Sequence, residues 1–149
     1  MTATTETTAR EQIRALLKDR AAAITAKDAD RAVAHYAAEV VSFSLAPPLR
    51  YAGDEVRDPA GLEGWFGTWD GPIGYDIGEP VIEAGDDIAF CHGLTHMTGT
   101  KTDGERVDLW FRSTVGLRRT STGWQIIHEH DSTPFYMDGS GQAATDLRP

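Results

Sequence analysis

Apolar positions in the first third of the chain follow a helical period. From about Thr8, residues Ile13, Leu16, Leu17, Ala21 and Ile24 recur at three- and four-residue steps, which gathers them on one face of an amphipathic helix. That helix is expected to stop near Lys27. Asp28 then stands where it can cap a second short helix, with Val33 and Tyr36 turned inward. Val40–Leu45 (VVSFSL) is β-branched and alternating and predicts a strand, ended by Ala46-Pro47-Pro48. Asp58-Pro59 is a helix start, with Asp58 as N-cap and Pro59 in the first turn. This third helix is expected to run to about Trp69, to bury Leu62, Trp65, Phe66 and Trp69, and to break at Asp70-Gly71-Pro72. Beyond it the period changes to two. Four strand-like runs follow, 75–84, 87–100, 105–119 and 123–133, separated by Gly85-Asp86, Asp103-Gly104 and Ser121-Thr122-Gly123.

Helices gathered at the start and a long meander after them define an α+β chain. Antiparallel strands of this length twist and bend. The expected architecture is a cone: a strongly bent, mostly antiparallel β-sheet wrapped over three N-terminal helices, with one open mouth. No repeat or linker divides it. Residues 8–136 read as one domain, 1–7 as a disordered lead and 137–149, rich in Gly, Ser and Asp, as a mobile tail.

Composition narrows the function. The 149 residues carry 14 Lys and Arg against 23 Asp and Glu, a formal net charge of −9. That balance speaks against sequence-independent nucleic-acid binding and against anionic membrane surfaces. No window approaches the length of a membrane-spanning apolar run, and MTATTETTAR lacks the apolar core of a secretory signal. A cytoplasmic location is the expectation. The lone Cys91 can form no internal disulfide and no all-cysteine metal site. Within AFCHG it reads as a buried, inert thiol, since His92 projects to the opposite strand face and cannot serve it as a base. No phosphate-binding glycine motif follows a strand, so no cofactor is expected.

The last strand, within GWQIIHEHDSTPF, carries four ionisable side chains in a row: His128, Glu129, His130 and Asp131. Strict alternation puts Trp124, Ile126, His128 and His130 on one face, and Gln125, Ile127, Glu129 and Asp131 on the other.

At this point the chain resembles the nuclear transport factor 2-like superfamily and, within it, the SnoaL-like and ketosteroid-isomerase-like proteins. The resemblance spans roughly residues 8–136. It rests on AAAITAKDADRAVAHYAAEVVSF, APPLRYAG, LEGWFGTWDGPI and GWQIIHEHDSTPF. It implies the cone fold, a small-molecule pocket and homodimerisation; a shared fold does not settle an activity. The isomerases imply an Asp base, a Tyr and a protonated Asp. Laid together without gaps, Ser44 stands in place of the base, Arg20 in place of the Tyr, and the second Asp falls at or beside Arg112. A serine hydroxyl is too weak a base for that chemistry unaided, and steroid isomerisation is rejected. The last motif is also similar to the hub domain of calcium/calmodulin-dependent kinases. The positions matching its pocket arginines are His92, Thr114 and Asp131, none of them arginine, so only the inward phase carries over.

That phase turns Phe90, His92, Leu94 and His96 into the cone, together with Asp108, Trp110, Arg112 and Thr114, and with Ile127, Glu129 and Asp131. The expected catalytic set is His92 and Asp131 as an acid–base pair and Arg112 as holder of an oxyanion or carboxylate. The expected substrate-binding set is Ser44, Trp65, Trp69, Phe90, His96, Asp108, Trp110, Thr114 and Glu129. A rival reading puts Asp108, Trp110 and Arg112 at a sheet-to-sheet dimer contact, because Val107, Leu109, Phe111, Val115 and Leu117 make the other face the more apolar one. His128 and His130 are assigned to the outer face, and no metal is expected there, since no third ligand is in view. The functional expectation is a cofactor-independent isomerase, cyclase, dehydratase or hydrolase acting on a small carbonyl or polyketide-like molecule. A non-catalytic ligand-binding or accessory protein, or a dimerisation module, is the alternative.

Overall fold

The computed structural model describes the backbone of residues 2–149 and the side chains of residues 8–149. The disordered lead expected over 1–7 falls on Met1 and on side chains outside the described residues. Helix α1 is Thr2–Thr25 and α2 is Ala29–Val33; strand β1 (Tyr36–Phe43) and the short β2 (Tyr51–Ala52) follow. Then come α3 (Asp54–Arg57), α4 (Pro59–Phe66), β3 (Trp69–Asp76), β4 (Val81–Ala84), β5 (Ile88–Lys101), β6 (Arg106–Thr120) and β7 (Gly123–Ser132). The sheet order is β2-β1-β7-β6-β5-β3, with β4 beside β5. Among the described residues, only β1 and β7 run parallel. The result is the expected α+β cone with a mostly antiparallel, curved sheet.

Local chemistry accounts for most boundaries. Asp28 caps α2 by accepting from the Arg31 N–H, and Asp58 caps α4 by accepting from the Ala60 N–H with Pro59 in the first turn. Three boundaries differ from expectation. Helix α4 stops at Phe66, and Asp70-Gly71-Pro72 lies inside β3 as an irregularity, with Gly71 at φ 80°. The expected run 75–84 is two strands, parted where the Asp76 carboxylate accepts from the Gly78 N–H at 2.8 Å. Tyr36, expected at a helix end, opens β1.

Two apolar clusters fill the cone. Ala9, Ile13, Leu16 and Leu17 of α1 pack on Ile82, Cys91, Val115, Leu117, Trp124 and Ile126. Further along α1, Ala23 and Ile24 pack with Ala29, Ala32, Phe66, Trp69 and Ile73. Gly99 lets Trp69 lie against the β5 backbone, since a Cβ there would sit 2.7 Å from the indole. Between the clusters, on the same stripe of α1, stands Arg20.

The tail read as mobile folds back on the domain. Phe135 bridges to Ala143, Ala144 is buried, and Arg148 pairs with Asp108 at 2.7 Å.

Candidate functional site

The inner face of the sheet is set by packing. On β6, Phe111, Val115 and Leu117 are buried and Asp108, Arg112 and Thr114 are not. The more apolar face is therefore the inner one, because the helices must cover it. Paired positions across a ladder share a face. With Leu94 opposite Arg112, His92 opposite Thr114 and His96 opposite Trp110, that β5 set faces outward too. The inner positions of β5 include Ala89, Cys91 and Thr95, small residues beneath α1.

This corrects the phase expected for the two strands. Phe90, His92, Leu94, His96, Asp108, Trp110, Arg112 and Thr114 stand on the outer face. There His96 stacks on Trp110 at 4.3 Å and meets Asp108 at 2.6 Å, Phe90 stacks with His92, and Arg112 donates to the Ser132 hydroxyl at 3.1 Å. The expected His92–Asp131 pair is not formed, since the two residues project to opposite faces.

Strand β7 uses both phases. Its pairing with β6 shifts between Gly116 and Leu117: Gly116 faces His128, but Leu117 faces Ile126, leaving Ile127 as an extra residue. The bulge reverses the alternation. Trp124 and Ile126 are buried before it, Glu129 is buried after it, and Asp131 shares the Glu129 face. Thus Trp124, expected outside, is inside, and Ile127, expected inside, is the bulged residue. His128 and His130 lie outside; the His128 Nδ1–H donates to the Val41 carbonyl at 2.8 Å, and Phe43 touches both rings edge-on.

Behind the bulge lies a buried polar network. The Arg20 Nη2 donates to the Tyr36 hydroxyl at 2.6 Å and also pairs with the Glu129 carboxylate. Tyr36 donates onward to Glu129 at 2.7 Å, and Ser42 donates to the same oxygen at 3.0 Å. Glu129 thus accepts from three side chains of α1 and β1. Burial is the largest single influence on Arg20 and opposes its charge, but the Glu129 carboxylate, joined by Tyr36, Tyr75 and Asp131, outweighs it and holds the guanidinium well above its ordinary range. Burial, above all, pushes the Tyr36 and Tyr75 hydroxyls up. The Asp131 carboxyl is pushed up to about 6, first by burial and then by the Glu129 charge, against the pull of Arg20 and of the Ser113 hydroxyl opposite it. The Cys91 thiol rises to about 11 through burial, which keeps it an inert core group.

A cavity of about 490 Å³ opens from this network to the mouth of the cone. Arg20, Tyr36, Ser42, Tyr75 and Glu129 form its floor. Ile24, Val33, Leu62, Trp65 and Met97 make apolar walls, and Ser44, Glu55 and Asp58 lie toward the mouth. Ser44 and Trp65 therefore line the cavity, whereas Trp69 is packed away in the second cluster, with its indole N–H unpartnered among the described residues. Among those residues, Arg20 Nε and Nη1 have no protein partner and are not sealed from solvent. Arg20 itself lines the cavity.

Arg20, Tyr36, Ser42 and Tyr75 were absent from the expected site. Arg20 had a signal: it is the charged residue at the point where the stripe passes from Leu16 and Leu17 to Ala23 and Ile24. Burying a guanidinium there demands a carboxylate opposite it.

A bent sheet wrapped over N-terminal helices, with a polar floor deep in the cone, is the architecture of the nuclear transport factor 2-like proteins. The chain belongs to the SnoaL-like family, whose domain model matches residues 13–136. It is similar to a nuclear transport factor 2-like protein of unknown function from Pseudomonas putida KT2440, at 32% identity and a TM-score of 0.84, over 96% of this chain and 98% of that one. A superfamily member from Salmonella enterica serovar Typhimurium aligns at 18% identity and a TM-score of 0.76, over 91% and 98%. A ketosteroid isomerase-like protein from Erwinia carotovora atroseptica aligns at 25% and 0.68, over 82% and 93%. No curated protein matches. Among the described residues, no helix is long and apolar enough to cross a membrane.

Proposed function

We propose that the chain is a cofactor-independent acid–base enzyme acting on a small, largely apolar carbonyl compound held in the cone. What supports this reading is the placement of the Asp131 carboxyl on the inner face, where burial pushes it up to about 6, with Arg20 lining the cavity on the same side of the sheet. Asp131 is the proton-transfer group, since its affinity for protons falls near working pH. Arg20, fixed by Glu129 and Tyr36, is aimed at negative charge developing on a carbonyl oxygen. Trp65, Leu62 and Met97 hold the ligand body, and the cavity volume suits a compact organic molecule. The outer-face residues His92 and Arg112 have no part in this chemistry.

The second reading, ligand binding without turnover, draws support from one fact: Asp131 is not among the residues lining the cavity. Deuterium exchange next to the carbonyl of 2-tetralone, followed by NMR in D2O, separates the two. Exchange above the buffer rate that is lost in Asp131→Asn and kept in His92→Ala supports the enzyme. Saturable binding with no exchange in the wild type supports the binding protein, and neither result would leave the cone without the proposed role. Two copies are expected to associate through the outer face, where Ile88, Phe90 and Leu94 are exposed, and a cytoplasmic location goes with this reading. A monomer in sedimentation equilibrium would refute the association.

A further inference from the structure

A second, much smaller space lies behind the floor of the cavity. It holds about 30 Å³ between α1, β3, β5 and β6, and its lining includes Arg20, Tyr75, Cys91, His92, Thr95 and Ser113. A space of this size accepts one or two water molecules, and water is retained where it finds two to four polar partners. Thr95 is 3% exposed, yet its hydroxyl has no protein partner among the described residues and is not sealed off. The same holds for the Tyr75 hydroxyl. Ser113 stands directly opposite Asp131 on the neighbouring strand, and its hydroxyl interacts with that carboxyl. Arg20 and Tyr75 line both spaces.

We propose that this chamber holds water that couples Asp131, through Ser113 and Thr95, to the Tyr75 hydroxyl on the cavity wall. The proposal rests on the acid–base reading and answers its geometric difficulty, the distance of Asp131 from the cavity lining. In the donating direction, Tyr75 gives its hydroxyl proton to the ligand as water returns one to the phenol oxygen. The Asp131 carboxyl replaces the proton that water gave and is left as carboxylate. In the accepting direction the same protons move in reverse. Tyr75 stays neutral between steps, so it remains a donor. Cys91 lines the chamber wall as a thiol already held to the Val115 carbonyl at 3.7 Å.

The test combines a high-resolution structure of the purified protein with NMR titration of Asp131 in Thr95→Val and Ser113→Ala. Two variants are used so that a folding failure in one does not silence the other. The expected results are water within about 2.7–3.2 Å of the Thr95 hydroxyl and an Asp131 midpoint moved up by ~0.5–1 pH unit in each folded variant. A dry chamber, or a midpoint unmoved in both variants, overturns the coupling. If the midpoint is unmoved while Asp131→Asn still abolishes tetralone exchange, the coupling fails and the acid–base reading stands. If the midpoint moves while Asp131→Asn leaves exchange intact, the coupling stands and the acid–base reading fails.

Discussion

Asp108 and Asp131 are both strand aspartates with basic neighbours, yet they are displaced in opposite directions. On the outer face, Arg148 and His96 reach Asp108 in open solvent and hold its carboxyl below the ordinary value. On the inner face, burial and the Glu129 charge outweigh Arg20 and lift Asp131 to about 6. The sheet is one residue thick, so the contrast comes from the medium and not from the residue types. Inside, water no longer shields the cost of a charge, and each ionised group must be matched. Outside, the same pairings change little, because solvent screens them.

The largest expected effect breaks the inner match. Glu129→Ala leaves Arg20 buried without its carboxylate and is expected to cost about 3–5 kcal/mol in urea unfolding. Asp131→Asn works in the opposite sense. The unfolded carboxyl titrates at 3.8 and the folded one near 6, so the folded state binds the proton more tightly. Its contribution to stability is full below about pH 4 and is lost as pH rises through 6. The variant is therefore expected to be more stable than wild type at pH 8, by roughly 3 kcal/mol at most, and to lack the decline between pH 4 and 7. Tyr36→Phe removes the hydroxyl shared by Arg20 and Glu129 and is expected to cost about 1–2 kcal/mol. Asp108→Asn should lower the urea midpoint at pH 7 only slightly, since solvent screens its ion pairs. Its wild-type carboxyl sits below the usual value, so its small stabilisation exists above about pH 4 and fades only on acidification. A large loss of stability at pH 7 in Asp108→Asn would show that the outer face is not the solvated surface described here.

The architecture was legible because it depends on period alone: a three-to-four repeat, then a two, with turn residues between. The site was less so, for reasons that differ by strand. On β6 the sequence held the answer, since Val107, Leu109, Phe111, Val115 and Leu117 form the more apolar face. The phase borrowed from the kinase hub resemblance overrode it. On β5 the inner residues Ala89, Cys91 and Thr95 are smaller than the outer Phe90, His92 and Leu94, so bulk pointed the wrong way; the closeness of α1 sets that choice, and it is a tertiary fact. On β7 no glycine or proline marks the bulge at Ile127, so alternation read across it is right only on one side. Glu129 and Asp131 were placed inward, and Trp124 outward, by the same rule.

That bulge makes the identity of the strand's inner row a matter of counting. Deleting Ile127 would only close the bulge, since Leu117 already faces Ile126 and Gly116 already faces His128; Glu129 and Asp131 would stay inward. Pairing Ile127 in the ladder instead of looping it out would do the reverse: His128 and His130 would turn inward and Glu129 and Asp131 would be handed to solvent, with no side chain altered in kind. The acidic floor therefore depends on one residue remaining outside the ladder, and a slip of register at that point would exchange the chemistry of the whole inner row at once.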